Sequence, residues 1–282
     1  MTNYPALNRP VLPQMRRKDA ACAALITYFA VVSSNRVLAE DADALAKQLA
    51  NPVAALISVP LQFNWDTGLA PNGLGEKWLL NVQPVIPISL NDKWNMISRT
   101  IIPVEGLSNV VPGDNHQSGL GDTTQSLFFS PKEPVGGWIL GAGPALLLPT
   151  ATDTALGLGK WGLGPTVVAL KQTAGGWTVG ALWNHIWSFA GSDNRSAVNA
   201  TFIQPFVSKG LGQGVTVSAN LEATYDYEGS NWVVPLNLSV SKVTKIGNQL
   251  VSIGGGVRYY AESPTGGPDW GLRFVFTLLY PK

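Results

Sequence analysis

Four charged residues stand out in a chain that is otherwise poor in charge: Arg99, Glu222, Arg258 and Arg273. Each falls in the polar phase of a run that alternates apolar and polar residues, so if the runs are strands, all four point to one side of the sheet. Charges held inside a closed sheet either pair and brace it or line a constriction that selects solutes by sign and size. The amides Gln62, Asn64, Asn81, Gln83, Gln125, Asn220 and Asn237 share that phase and would complete a polar, mostly neutral wall. Three arginines against one glutamate favour anions if they stay unpaired. A closed Arg and Glu network filling the lumen is the equal alternative, because a twelve-stranded barrel is narrow.

Other chemistry is thinly supported. The two histidines, His116 and His185, make no metal-ligand cluster of recognised spacing. A Gly157-x-Gly159-x-x-Gly162 pattern has the spelling of a dinucleotide loop, but it leads into Gly164-Pro165 and a strand instead of the helix a phosphate site needs. His185 shares a phase with Trp183 and Trp187, which puts it on the lipid-facing side near one interface, where a Ser, His and Asn grouping would cleave phospholipid. Asn184 falls on the opposite face, and no Gly-x-Ser-x-Gly elbow occurs. The chain is therefore expected to be no enzyme and to carry no metal or cofactor. An outer-membrane lipase and a sealed structural or adhesive barrel stand as the alternatives to a channel.

The elements that must position these residues follow from composition and period. Charged residues make up 13% of the 282, with 30 Gly and 10 Trp, against about 25% charged in ordinary soluble domains. No uninterrupted apolar run is long enough for a membrane helix. Strict alternation is clearest from Val215 to Tyr227, where Val, Ala, Leu and Tyr oppose Thr, Ser, Asn, Glu and Asp. A water-facing sandwich would place Lys and Glu on its second face, whereas Ser, Thr, Asn, Gln and Gly suit a barrel lumen. Twelve such runs are predicted: 55–66, 77–89, 94–104, 121–130, 138–149, 163–172, 176–189, 197–207, 214–227, 231–241, 248–261 and 270–280. The fold class is thus all-β, an antiparallel transmembrane β-barrel of about twelve strands with a short N-terminal helix.

Connections alternate between compact turns, such as Asn91-Asp92-Lys93 and Ala174-Gly175, and longer loops, of which Glu105 to Leu120 is the longest. Short periplasmic turns and long outer loops are the usual asymmetry. Trp94, Trp138 and Trp177 open strands after short turns, while Trp65, Trp78, Trp187, Trp232 and Trp270 sit beside long loops. Indole rings prefer the headgroup level, so these positions mark two interfaces.

Residues 1–39 read as a secretory signal. Arg16, Arg17 and Lys18 precede the apolar stretch Ala20 to Val32, Val37-Leu38-Ala39 supplies the small residues before cleavage, and Met15 is an alternative start. The single cysteine, Cys22, would leave with it. Removing five basic residues and one acidic residue leaves 14 against 17, a mature charge of −3. With no basic cluster left, nucleic acid is excluded as a partner. Residues 40–53 form the N-terminal helix, which either plugs the lumen or rests at its periplasmic mouth, and residues 54–282 form the barrel. Trp270-Gly271 followed by Phe274, Phe276, Leu278 and Tyr280 at period two is similar to the C-terminal signal read by the barrel-assembly machinery. Expected partners are thus that machinery, outer-membrane lipids and a small permeant.

Four stretches carry a family resemblance: Leu49-Ala50-Asn51-Pro52-Val53-Ala54-Ala55-Leu56-Ile57-Ser58-Val59-Pro60, Ser118-Gly119-Leu120-Gly121-Asp122, Trp187-Ser188-Phe189-Ala190-Gly191 and Gln204-Pro205-Phe206. In these the chain resembles bacterial outer-membrane proteins linked to the meta-pathway of phenol degradation, a transporter family. The resemblance implies an outer-membrane channel or uptake protein for small solutes, aromatic or hydrophobic ones among them. It brings no site residues.

Overall fold

A computed structural model describes residues 41–111 and 113–281. The signal segment expected over residues 1–39 lies outside the described residues. The described residues form fifteen strand segments in one antiparallel sheet. In order they are β1 (Ile57–Leu69), β2 (Gly75–Val82), β3 (Val85–Ser89), β4 (Trp94–Val111), β5 (Asp114–Leu120), β6 (Thr123–Pro131), β7 (Ile139–Leu148) and β8 (Lys160–Gln172). Next come β9 (Trp177–Gly191), β10 (Asn199–Gly212), β11 (Val215–Leu221), β12 (Ala223–Asp226), β13 (Asn231–Ile246), β14 (Gln249–Glu262) and β15 (Trp270–Tyr280). Three spans are interrupted once, so that β2 with β3, β5 with β6 and β11 with β12 are single walls. The result is twelve strands.

The ring closes because β15 pairs β1 from Ile57↔Tyr280 to Thr67↔Trp270, while β10 pairs β9 on one side and β11 on the other. Closure satisfies the backbone groups that an open edge would leave unpaired, the condition for a sheet to cross lipid. Period two then sorts the side chains. On β8, Val167 is 42% exposed and its neighbour Val168 is fully buried, so one residue type serves both faces. Outward lie Phe63, Leu163, Ile203, Leu236, Leu238, Val257 and Phe274. An apolar surface that continuous suits contact with hydrocarbon.

Two departures from the sequence reading have physical causes. The expected loop from Glu105 to Leu120 is mostly a hairpin, with β4 running on to Val111 and β5 starting at Asp114. His116 accordingly lies in β5, facing Ser108 across the pair. A barrel strand that extends beyond the apolar belt keeps its ladder but no longer needs apolar alternation, so the pattern stops before the strand does. The second departure is the set of strand breaks. Pro84 has no N–H to donate, and Gln83 N bonds Pro60 O instead, at 2.9 Å. Near the β7–β8 pair Pro144 stands opposite Pro165. Next to it, Gly164 lets the chain pass so close to His185 that an added Cβ would lie 1.6 Å from the His185 carbonyl oxygen.

A helix, α1, spans residues 41–49 ahead of β1. Leu45 and Ala46 pack with Leu56, Val243 and Leu279, so α1 lies against inward-facing residues at the end that carries the short turns. A second apolar cluster joins Val53 to Ile97, Phe128, Val168, Leu170 and Leu182 from β4, β6, β8 and β9. This cluster makes an apolar patch on the inner wall, flanked on the same strands by the buried polar residues Ser126, Ser130, Thr166 and Thr178. The side from β11 through β15 to β1 carries Ser239, Ser241, Ser252, Thr277 and Asn64.

Candidate functional site

The most concentrated polar grouping sits inside the barrel. It begins with Glu222, which falls in the gap between β11 and β12, where its N–H bonds Pro235 O at 3.0 Å. Pro235 marks a register shift on β13 and has no N–H to return, so the ladder opens there. The Glu222 carboxylate receives both ends of the Arg273 guanidinium, Nη1 to Oε1 at 2.8 Å and Nη2 to Oε2 at 2.9 Å. Arg273 Nε and Arg258 Nη1 both donate to Asn64 Oδ1, at 2.8 and 2.7 Å. Arg258 also donates to the Tyr260 hydroxyl at 2.9 Å and meets Asp66 at 3.3 Å in an ion pair. Arg258, Arg273, Asn64 and Asp66 are all buried.

Two carboxylates thus balance two arginines, in bidentate and shared contacts that suit low-dielectric burial. Of the two arrangements the sequence left open for Arg258 and Arg273, the structure has them paired with carboxylates rather than unpaired. Sequence reasoning missed three members. Asp66 was legible as the polar residue two after Asn64 on β1. Tyr260 was hidden because an aromatic residue in a barrel strand ordinarily faces lipid, as Tyr259 does at 61% exposed. Gln204, whose Nε2 lies 3.5 Å from Glu222 Oε1, had only its phase to mark it.

The remaining predicted residues form smaller groups. Arg99 on β4 donates from Nη2 to Gln83 Oε1 at 2.9 Å. Asn237 donates to Asn220 Oδ1 at 2.8 Å, a cross-strand amide pair on β13 and β11. Gln125, expected on the inner wall, is turned to the other face, because side chains alternate along β6 and its neighbours Thr124 and Ser126 line the interior; it donates to Ser98 Oγ at 3.0 Å and accepts from Thr100 at 2.6 Å. Gln62 and Asn81 line a cavity of about 310 Å³ together with Gln83, Arg99 and Glu222.

Three further cavities, of about 250, 260 and 400 Å³, lie against α1, and Gln83 lines the first two as well as the one beside Arg99. The helix is held by more than apolar contact. Asp43 accepts from Gly214 N at 2.6 Å, and Gln172 Nε2 donates to Lys47 O at 2.8 Å. At the opposite end, the segment between β7 and β8 folds back over β5. Asp122 accepts from Ala151 N and Leu158 N at 3.1 and 2.6 Å, and Leu156 is buried. This is the segment that holds Gly157 and Gly159. It leads into β8 as expected, and Arg195 donates to Gly157 O and Leu158 O.

His185 faces outward, away from Asn184, which lines the interior cavity. Its Nδ1 lies 2.7 Å from Thr201 Oγ1, and its ring sits 4.0 Å from Trp187 and 5.6 Å from Tyr227. The Ser, His and Asn grouping of a lipase is not assembled around it. Among the described residues no group of three or more His, Cys, Asp or Glu is disposed to hold a metal.

No protein-family model and no curated relative matches the chain. Solved structures do. An outer-membrane channel from Pseudomonas putida F1 is similar with a TM-score of 0.63 at 14% identity, covering 80% of this chain and 96% of that one. The β domain of a Bordetella autotransporter aligns with a TM-score of 0.48 at 13% identity over 80% and 100% of the two chains. Outer membrane phospholipase A from Escherichia coli aligns at 0.41 and 12% identity over 79% and 92%. At these identities the likeness to the channel concerns the fold, which is that of a twelve-stranded outer-membrane β-barrel.

Proposed function

We propose that this chain is an outer-membrane channel for small solutes, aromatic or hydrophobic ones among them, of the type associated with phenol degradation. The observation that carries the reading is the interior: three cavities are each lined by Gln83 inside a closed wall that presents an apolar patch as well as polar amides and hydroxyls. A solute with an apolar body and a single polar group can satisfy both kinds of surface at once. A sugar would leave the apolar patch unused, and a hydrocarbon would leave the amides desolvated without partners.

In this reading the Arg258, Arg273, Glu222 and Asp66 network narrows the lumen without setting its selectivity, because its charges are spent on one another. Helix α1 acts as the plug at the short-turn end, taken as periplasmic. Its contacts with the wall are one small apolar face and two hydrogen bonds, which a two-state displacement can exchange with water. The outward apolar surface meets outer-membrane lipid, and β15, which closes the ring on β1, supplies the strand that the assembly machinery reads.

Liposome swelling with purified full-length protein tests the proposal. Phenol and other small amphiphiles are expected to enter faster than sugars of equal size. Absence of both swelling and single-channel conductance would make the barrel sealed.

A further inference from the structure

Among the described residues Arg99 is the lumen arginine that the paired network does not absorb. It stands on β4 opposite Val85 of β3 and Ser126 of β6, and its hydrogen bond among the described residues is the one to Gln83. Among the described residues no carboxylate lies within ion-pair distance of it. The field of Glu222 reaches it, but both Glu222 oxygens are already taken by Arg273. With Asp66 and Glu222 offsetting Arg258 and Arg273, the surplus positive charge at this level resides on Arg99.

The remaining Arg99 nitrogens have no partner among the described residues and are not sealed from the cavity. A guanidinium carries five N–H donors in a planar fork, so most are left to grip a planar anion. The cavity beside it, about 310 Å³, is at the small end of ligand-site sizes. Near Arg99 its wall is Gln62, Asn81 and Gln83; Leu182, Ile186 and Phe202 come from the far side of the ring, interleaved with Asn184, Gln204 and Glu222. Because the Glu222 carboxylate is held by Arg273, Arg99 is the lining charge left without an ion pair among the described residues, and the amides around it with apolar side chains opposite give the site a direction.

We propose that Arg99 anchors a binding subsite for a small monocarboxylate carried on an apolar body, the carboxylate on the guanidinium and the body against Leu182, Ile186 and Phe202. A monoanion neutralises the surplus charge; a dianion would leave a new one uncompensated in a low-dielectric lumen. The subsite depends on the channel reading only for the route by which a solute arrives. Binding can be measured without transport.

The test is isothermal titration of the purified full-length barrel in detergent with benzoate and with its neutral isostere benzamide. Saturable benzoate binding is expected, roughly tenfold tighter than benzamide, as a charge-assisted hydrogen bond of ordinary strength implies. Arg99→Gln should bring the two ligands to parity, and Arg99→Lys should keep part of the preference. Equal affinity for both ligands in the unaltered protein overturns the proposal, as does benzoate binding that survives Arg99→Gln. If Arg99→Gln does not fold, the benzoate and benzamide comparison in the unaltered protein decides alone. Conductance is recorded separately: a barrel that conducts without preferring benzoate loses the subsite and keeps the channel. One that prefers benzoate without conducting keeps the subsite and loses the channel.

Discussion

Arg273 and Glu222 form a two-pronged ion pair at 2.8 and 2.9 Å although β13 and β14 lie between their strands. The pair therefore cuts a chord across the inside of the ring. It ties together wall segments that backbone hydrogen bonds join only the long way round.

Removing one partner should leave a buried charge uncompensated. Glu222→Gln is expected to destabilise the barrel by about 3–5 kcal/mol, read as a lower urea midpoint for loss of the heat-modifiable form on a denaturing gel. Replacing Glu222 and Arg273 together by Gln and Met should recover part of the loss. A double variant as unstable as the sum of the two singles would show that the chord is not a unit.

The brace and the free arginine should separate in electrophysiology. In planar bilayers under a salt gradient, Arg99→Gln is expected to move the reversal potential toward cation preference. Arg258→Gln and Arg273→Gln should mainly lower stability. A larger shift from either of these than from Arg99→Gln would return the selectivity role to the brace.

Loosening α1 should open the lumen. Leu45 packs with Val243 and Leu279, and Leu45→Ala is expected to weaken docking by about 2–5 kcal/mol if the gap does not collapse. Single-channel conductance or open probability should rise. Values identical to the unaltered protein would mean that the helix does not limit passage.

Gly164 should tolerate no side chain. An added Cβ would meet the His185 carbonyl oxygen at 1.6 Å, and backbone in a closed ring has little freedom to move aside. Gly164→Val is expected to abolish the heat-modifiable band. Gly73→Ala serves as the comparison: its added Cβ meets nothing within 4 Å, so its positive φ leaves a local strain only, and it should fold.

The sequence by itself determined the strands, because a side chain's face in a sheet depends only on its parity along the chain. Twelve alternating runs were legible, β15 with matching ends, and so was the inward phase of Asn64, Arg99, Glu222, Arg258 and Arg273. The helix before β1 was legible from its apolar spacing. Parity says which face a residue occupies but not how far around the ring its neighbour stands. Asp66 and Arg258 meet because β14, β15 and β1 are consecutive in the closed ring, a fact that local pattern does not carry. Only tertiary closure decided that Arg258 and Arg273 are paired while Arg99 is not. The lodging of α1 against Val243 and Leu279 was likewise decided there, since a short amphipathic helix shows its apolar face in the sequence but not the surface that will cover it.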